Sequence, residues 1–299
     1  MARGGEGRRG RITDGETAAR SLRERQRADW SAVAGGWQRY REKMGGPTSV
    51  ITDKMLALAR PRPGDRVLDL ACGVGDPAFA MAERVGADGR VLGLDFSPEM
   101  VEGARAWAEQ HGVPNVEFRA IRSELELGVE PESFDVATCR LGLMFMPDPV
   151  AALRSLRAAL KKGGRVVVST WGPPERTPNF RLPMEIVGRH ADLPPQEPGA
   201  PGLFTLPTPE RLATALEAAG FTAIETSAFE TPTVKATDAG SYWHGVGAMM
   251  APLIPVLDSL TEEQRQAVRE DAIATVSALF PEGPVEMRGE AVAAAGVKG

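Results

Sequence analysis

The sequence predicts an α/β fold, a doubly wound parallel sheet with helices on both faces. Three observations carry this expectation. Short apolar runs at 67–71, 90–95, 116–121, 134–139 and 165–171 alternate with stretches of helical periodicity. The first run leads straight into a glycine turn, Gly73-Val74-Gly75. Ser97-Pro98 and Asp148-Pro149 each place a side-chain cap ahead of a proline at a helix start. Strands alternating with helices in this way give parallel neighbours joined by right-handed crossovers.

Composition narrows the class. The 299 residues can bury a full core, and 42% hydrophobic with 25% charged residues is the balance of a globular chain. A net charge of -5 gives no general reason to expect a nucleic-acid partner. Two cysteines, Cys72 and Cys139, make no disulfide framework, so the expected location is cytoplasmic. No apolar run reaches the ~18 residues of a membrane span. No two histidines share a motif and the cysteines lie far apart, so no metal site is expected.

Taken in order, residues 1–27 carry eight arginines against four acidic residues and few apolar side chains. Such a stretch buries too little to offset its ordering entropy, and a disordered leader is expected. Residues 28–60 follow as a helical flap. Trp30, Val33, Trp37, Tyr40 and Met44 recur at spacings of three and four, and Gly35-Gly36 breaks the stripe, allowing either two short helices or one long one. A second helix, about 48–60, stops at Pro61 and Pro63.

The region 61–172 is the strand–helix core, with helices over 77–85, 98–111 and 149–160. Lys161, Lys162 and Gly163-Gly164 close the last of these, with cations where the helix dipole favours them. Residues 173–209 hold ten of the 24 prolines, and only 182–190 looks helical. An irregular insertion just past a strand's carboxyl end predicts a substrate lid over 173–207. A helix at 209–219, a strand at 221–229, helices at 239–258 and 261–280 and a strand at 285–297 complete the chain, with 236–282 a second lid insertion. The whole of 28–299 reads as one domain.

Two ligands compete for the glycine turn. Gly73-x-Gly75-x-x-Ala78, with Asp95 about 20 residues on, fits a dinucleotide fingerprint. However, Asp69 and Asp76 flank the turn, and two carboxylates suit a pyrophosphate poorly. They suit S-adenosylmethionine, which carries an ammonium and a sulfonium but no phosphate. Asp69 would then reach the amino-acid end and Asp95 would take the ribose hydroxyls.

Together, Val67-Leu-Asp-Leu-Ala-Cys-Gly-Val-Gly75, the strand ending on Asp95, Phe134-Asp-Val-Ala-Thr-Cys-Arg140 and Leu160-Lys-Lys-Gly-Gly-Arg-Val-Val-Val168 resemble class I S-adenosylmethionine-dependent methyltransferases. The branch they are most similar to is the small-molecule one related to the ubiquinone/menaquinone C-methyltransferases. The resemblance implies a mostly parallel seven-stranded sheet, the last strand antiparallel. It implies that Ala71, Gly73 and Gly75 approach the methionine moiety, that Phe96 and Met100 lie beside the nucleoside, and that Arg140, Leu141 and Met144 line the transfer side. The segment around Trp37 and Tyr40 would be the flap. The family usually has Gly at the position of Ala71 and an adenine-binding Asp at that of Arg122. Arginine cannot accept a hydrogen bond, so Ser123, Glu124 or backbone is expected to take that contact.

The expected activity is methyl transfer by in-line displacement to a small, fairly hydrophobic acceptor. The aromatic lid residues Trp171, Tyr242 and Trp243 favour such an acceptor. His244, beside two aromatics in Ser-Tyr-Trp-His-Gly, is the candidate general base, while His111 and His190 read as surface and lid residues. A homodimer is an assembly the chain allows. Two other functions compete: a nicotinamide-dependent oxidoreductase, and a non-catalytic cofactor-binding subunit on the same fold.

Overall fold

The computed structural model describes residues 14–41, 50–193 and 200–299, without the Asp14 and Tyr40 side chains. Met44 of the aromatic stripe lies outside the described residues.

Seven strands form one sheet: β1 (Arg66–Leu70), β2 (Arg90–Asp95), β3 (Val116–Ala120), β4 (Phe134–Arg140), β5 (Leu160–Trp171), β6 (Phe221–Ala236) and β7 (Val285–Lys298). Their order is β3-β2-β1-β4-β5-β7-β6. β1 to β5 pair in parallel, and β7 runs antiparallel to both β5 and β6. The order reverses between β1 and β4, and ligands of open α/β sheets bind at the carboxyl ends beside such a switch.

The helices are α1 (Asp14–Tyr40), α2 (Val50–Ala59), α3 (Ala78–Val85), α4 (Pro98–Gln110), α5 (Pro149–Ala159), α6 (Pro178–Gly188), α7 (Pro209–Ala218), α8 (Ala239–Met249), α9 (Ile254–Ser259) and α10 (Glu262–Leu279). The expected caps form. Ser97 accepts from Met100 N at the start of α4, and Asp148 accepts from Ala151 N at the start of α5. Thr208 caps α7, and Thr261 with Gln264 makes a capping box on α10.

Apolar side chains pack into separate cores. One face of the sheet buries Leu68, Leu70 and Val168 against Leu153 and Leu156 of α5 and Leu212 and Leu216 of α7. The other face buries Val67, Val91 and Val167 against Met55 of α2, Met81 of α3 and Val101 of α4. A third cluster stands apart, joining Ile186 of α6, Tyr242 and Val246 of α8, Val268 and Val276 of α10, and Val285 and Met287 of β7. The two sequence segments expected to form lids therefore share one core.

β6 and β7 carry that core. The strand expected to end at 229 runs on to Ala236, with a register shift between Pro232 and Val234. Proline donates no ladder bond and is tolerated at such an irregularity, which lets the strand outlast the local sequence signal.

One expectation is corrected in α1. The leader boundary at 27 falls inside a helix that begins at Asp14. Long-range polar contacts, not an apolar stripe, hold its first half. Arg23 donates to both oxygens of the fully buried Glu124, Nε at 2.7 Å and Nη2 at 2.5 Å. Arg27 donates to the Ile121 carbonyl at 2.9 Å, and Gln26 to the Phe145 carbonyl. Of the two alternatives at Gly35-Gly36, the single long helix is the one that forms, and close packing requires the second glycine. A Cβ at Gly36 would overlap the Ala248 carbonyl of α8.

Gly36→Ala therefore sets propensity against packing. Propensity alone favours alanine by about 1 kcal/mol. The overlap with a backbone carbonyl reverses that sign, and we expect a net loss of about 1–3 kcal/mol in denaturant unfolding. A stabilised variant would contradict the close packing of α1 on α8.

Candidate active site

The site is assembled at the carboxyl ends of β1, β2 and β4. The turn after β1 needs left-handed backbone: φ is 58° at Ala71, 51° at Gly73 and 107° at Gly75. Glycine adopts these angles freely, whereas an L-residue in this region costs roughly 1–2 kcal/mol. Ala71 therefore holds a strained conformation. The facing residue makes room for it, since a Cβ at Gly142 would overlap that of Ala71. Leu141, next to Gly142, is also left-handed, with φ 56°.

Asp95 ties the turn to the next loop. Its Oδ2 accepts from Gly73 N at 2.8 Å and its Oδ1 from Ser97 N at 2.9 Å. Burial raises its pKa, while the N–H groups of Ser97, Gly73 and Phe96 oppose the shift. Each oxygen keeps lone-pair capacity for a further donor. Other N–H groups of the turn are committed too. Cys72 N donates to Leu94 O at 3.0 Å and Gly75 N to Cys72 O at 2.8 Å. Pro77 has no N–H to offer. The N–H groups of Cys72, Gly73 and Gly75 are thus already engaged and do not point free toward a phosphate.

Asp69 is fully buried within β1. Its Oδ1 accepts from Thr138 Oγ1 at 2.6 Å, across the pair that β1 and β4 register. Its Oδ2 accepts no hydrogen bond among the described residues. Burial pushes its pKa up to about 8; Thr138 opposes the shift, the nearby Asp76 adds to it, and Arg140 offsets part. Asp76 Oδ1 accepts from Thr52 Oγ1 at 2.9 Å, and its Oδ2 lies 3.5 Å from Arg140 Nη1. This corrects the expectation of two bare carboxylates beside the turn. Asp69 is chiefly neutral near pH 7, and Asp76 has a guanidinium partner.

The other expected residues are distributed as follows. Phe96 is half-buried against the core, and Met100 is buried with Val33, Ala34, Val74 and Ala251, where Trp30 and Trp37 pack. Trp37 Nε1 donates to the Met249 carbonyl at 3.2 Å, joining α1 to the end of α8. The Tyr40 side chain lies outside the described residues. Met144 is buried after β4, and its carbonyl accepts from Gly202 N at 3.0 Å. Trp171 meets Phe180 edge-on at 5.1 Å. On the loop after β3, Arg122 is exposed and Ser123 Oγ accepts from Leu125 N. Glu124 is engaged with Arg23, so its oxygens serve α1 before any adenine.

Three residues do not join the turn. Tyr242 and half-buried Trp243 belong to the lid core, and the Tyr242 hydroxyl is buried without a hydrogen bond among the described residues. Its pKa is raised by that burial. His244, the expected base, is exposed on α8, because a position two residues from buried Tyr242 falls on another helix face. The remaining histidines have structural partners: His190 Nε2 lies 2.8 Å from Asp271 Oδ2, and His111 stacks on Trp107. Sequence reading missed Thr138, Thr52, Arg23 and Arg41. Thr138 alone left a signal, a hydroxyl in an otherwise apolar buried strand. Among the described residues no group of three or more His, Cys, Asp or Glu side chains could hold a metal ion, and no helix is long and apolar enough to cross a membrane.

Comparison with known proteins bears on the domain and the fold. Residues 61–196 match a family described as a methyltransferase domain. The chain is 43% identical over 104 residues to a demethylmenaquinone methyltransferase of Lactococcus lactis, covering 35% of this chain and 41% of that protein. It is 34% identical over 134 residues to an aklanonic acid methyltransferase of a Streptomyces species, covering 42% and 60%. The chain thus spans about half the length of these curated relatives. Among solved structures, the YcgJ protein of Bacillus subtilis superposes with a TM-score of 0.54 at 22% identity, over 82% of this chain and 97% of that one. A Haemonchus contortus phosphoethanolamine N-methyltransferase, solved with S-adenosylhomocysteine, gives 0.54 at 17% identity over 93% and 60%. At such identities the two structures establish the fold.

The Asp69 shift predicts a pH signature. Its folded pKa, about 8, lies above the ordinary carboxylate value, so the fold favours the protonated acid. That contribution is complete below about pH 4 and is lost as pH rises to about 8. Asp69→Asn removes the dependence. Its melting temperature should gain on wild type from pH 4 to 8 and hold a constant difference above. Parallel curves across that window would show that Asp69 is ionised throughout.

Proposed function

We propose that this chain, which carries a methyltransferase domain over residues 61–196, transfers a methyl group from S-adenosyl-L-methionine to a small, hydrophobic organic acceptor. One observation carries the reading: the turn after β1 has its Cys72, Gly73 and Gly75 N–H groups engaged within the fold and offers carboxylate acceptors. Gly73 N–H is bound to Asp95, and the buried Oδ2 of Asp69 has no donor among the described residues. Such a site fits an ammonium and ribose hydroxyls and does not fit a pyrophosphate. The nicotinamide alternative is disfavoured on the same ground.

When bound, S-adenosylmethionine supplies a methyl group on a sulfonium, with a neutral thioether as leaving group. Asp95 accepts from the ribose hydroxyls with its remaining lone pairs, and Phe96 and Met100 give the nucleoside an apolar wall. Asp69, Ala71, Gly73 and Gly75 hold the amino-acid end. An adjacent ammonium favours the ionised form of Asp69, so binding releases a proton below about pH 8. Arg140 neutralises Asp76 across the turn and orients Leu141 and the segment that follows β4. Ser123 or the backbone beside it meets the adenine, because Glu124 is engaged by Arg23.

The acceptor is held on the transfer side by Met144 and Trp171, with Trp37 of α1 and the lid, whose core Tyr242 and Trp243 build, closing over it. The apolar lid core supports a hydrophobic acceptor, and the two relatives named for demethylmenaquinone and aklanonic acid point to small organic molecules. Holding nucleophile and methyl carbon in line and excluding water supplies most of the rate for such a displacement. The exposure of His244 argues for an acceptor that needs no histidine base. The two free, buried cysteines support a cytoplasmic setting.

Calorimetry with S-adenosylhomocysteine tests the cofactor. Wild type should bind, and Asp95→Ala should bind about tenfold or more weakly, as expected for lost hydrogen bonds to a charged acceptor. Silence in wild type, or equal affinity in the variant, would overturn the assignment. Binding without turnover against a panel of phenols, quinones and amines would instead favour the non-catalytic reading.

A further inference from the structure

The last described residue of the N-terminal segment, Arg41, is buried against the glycine turn, with 8% of its surface exposed. Its Nη1 donates to the Val74 carbonyl at 2.8 Å. Its guanidinium carbon lies 4.4 Å from the Phe79 ring centroid and 3.9 Å from that of Trp107. Phe79 in turn covers Gly75, where any Cβ would overlap its ring, and Phe79 N donates to Gly75 O at 3.0 Å.

Val74 sits between two glycines with positive φ, so its peptide unit has more rotational freedom than its neighbours. Arg41 is a side chain that fixes the direction of that carbonyl, with a charge-assisted bond stronger than a neutral one. Helix α1, which ends one residue before Arg41, reaches the loops after the next three strands. Ser31 Oγ donates to Ser97 Oγ at 3.0 Å after β2, Arg27 donates to the Ile121 carbonyl after β3, and Gln26 donates to the Phe145 carbonyl after β4. The helix and Arg41 together thus touch each of the four loops that frame the site.

We propose that Arg41 is a positioning residue that holds the Val74 carbonyl and so couples the docking of α1 to the shape of the cofactor turn. This rests on the cofactor reading given above. Coupling of this kind is reciprocal: a ligand that requires the ordered turn must strengthen the docking of α1, and a docked α1 must tighten the ligand. Arg41 touches neither reacting atom and acts through the turn.

Hydrogen exchange followed by mass spectrometry, with calorimetry, tests this on the full chain as wild type, Arg41→Gln and Arg41→Lys. In wild type, S-adenosylhomocysteine should slow exchange along α1 as well as at residues 72–76. Arg41→Gln should speed exchange at both places without ligand and leave β4 and β5 unchanged. It should also bind S-adenosylhomocysteine about tenfold more weakly, and the ligand should no longer protect α1. Arg41→Lys keeps a cation over the rings and a donor, and should recover part of each effect. Affinity within twofold of wild type, together with unchanged exchange in Arg41→Gln, would overturn the proposal. If Arg41→Gln fails to fold, the same readouts on Arg41→Lys decide, with wild-type behaviour in both overturning it. Failure of wild type to bind would remove the cofactor reading, while ligand-free exchange at 72–76 still judges the Arg41 clamp.

Discussion

The site depends on one tether, the carboxylate of Asp95 accepting from Gly73 N on one side and Ser97 N on the other. It joins the turn after β1 to the start of α4 and consumes an N–H that glycine turns of this shape otherwise turn toward phosphate. The crevice at the sheet switch point is thereby made rich in acceptors. The left-handed residues around it follow from the same sharp turn, including Ala71, whose strain is tolerated because Gly142 leaves space opposite.

Burial then decides which acceptors carry charge. Asp69 lies inside the sheet with a single hydroxyl donor, and its carboxyl is kept mainly neutral near pH 7. Asp76 is more open to solvent, and Thr52 and Arg140 face it. A neutral buried acid costs the empty fold less than a buried charge and can still ionise beside a cation. The turn can therefore favour a cationic ligand without holding two unpaired charges when empty.

Covering elements reach the site by two different kinds of contact. The lid has its own apolar core, mounted on the extended β6–β7 pair beyond the main sheet. Helix α1 has only a small apolar seat and is fastened mainly by long polar side chains. Among them, Arg23 on buried Glu124 is the costliest to break, since separation strands a carboxylate away from water. Apolar contact holds the lid through collective area, whereas α1 depends on a few directional bonds.

The sheet, its helices and the glycine turn were legible in the sequence because their signals are local. Apolar runs, helical spacing and caps such as Ser97 and Asp148 act between near neighbours, and Asp95 was marked by its distance from the turn. Residues whose roles depend on remote partners were not legible. Arg23 meets Glu124 across 101 positions, and Trp37 meets the Met249 carbonyl across 212. Nothing near Gly36 announces the α8 carbonyl that forbids a side chain, and nothing near His244 announces that its face of the helix is turned to solvent. The sequence alone determined the fold and the place of the ligand turn, since periodicity and turn chemistry are properties of short segments. Tertiary structure decided that α1 is a single docked helix, that burial raises the Asp69 pKa, and that Glu124 is engaged, because burial and charge pairing exist only once distant segments meet.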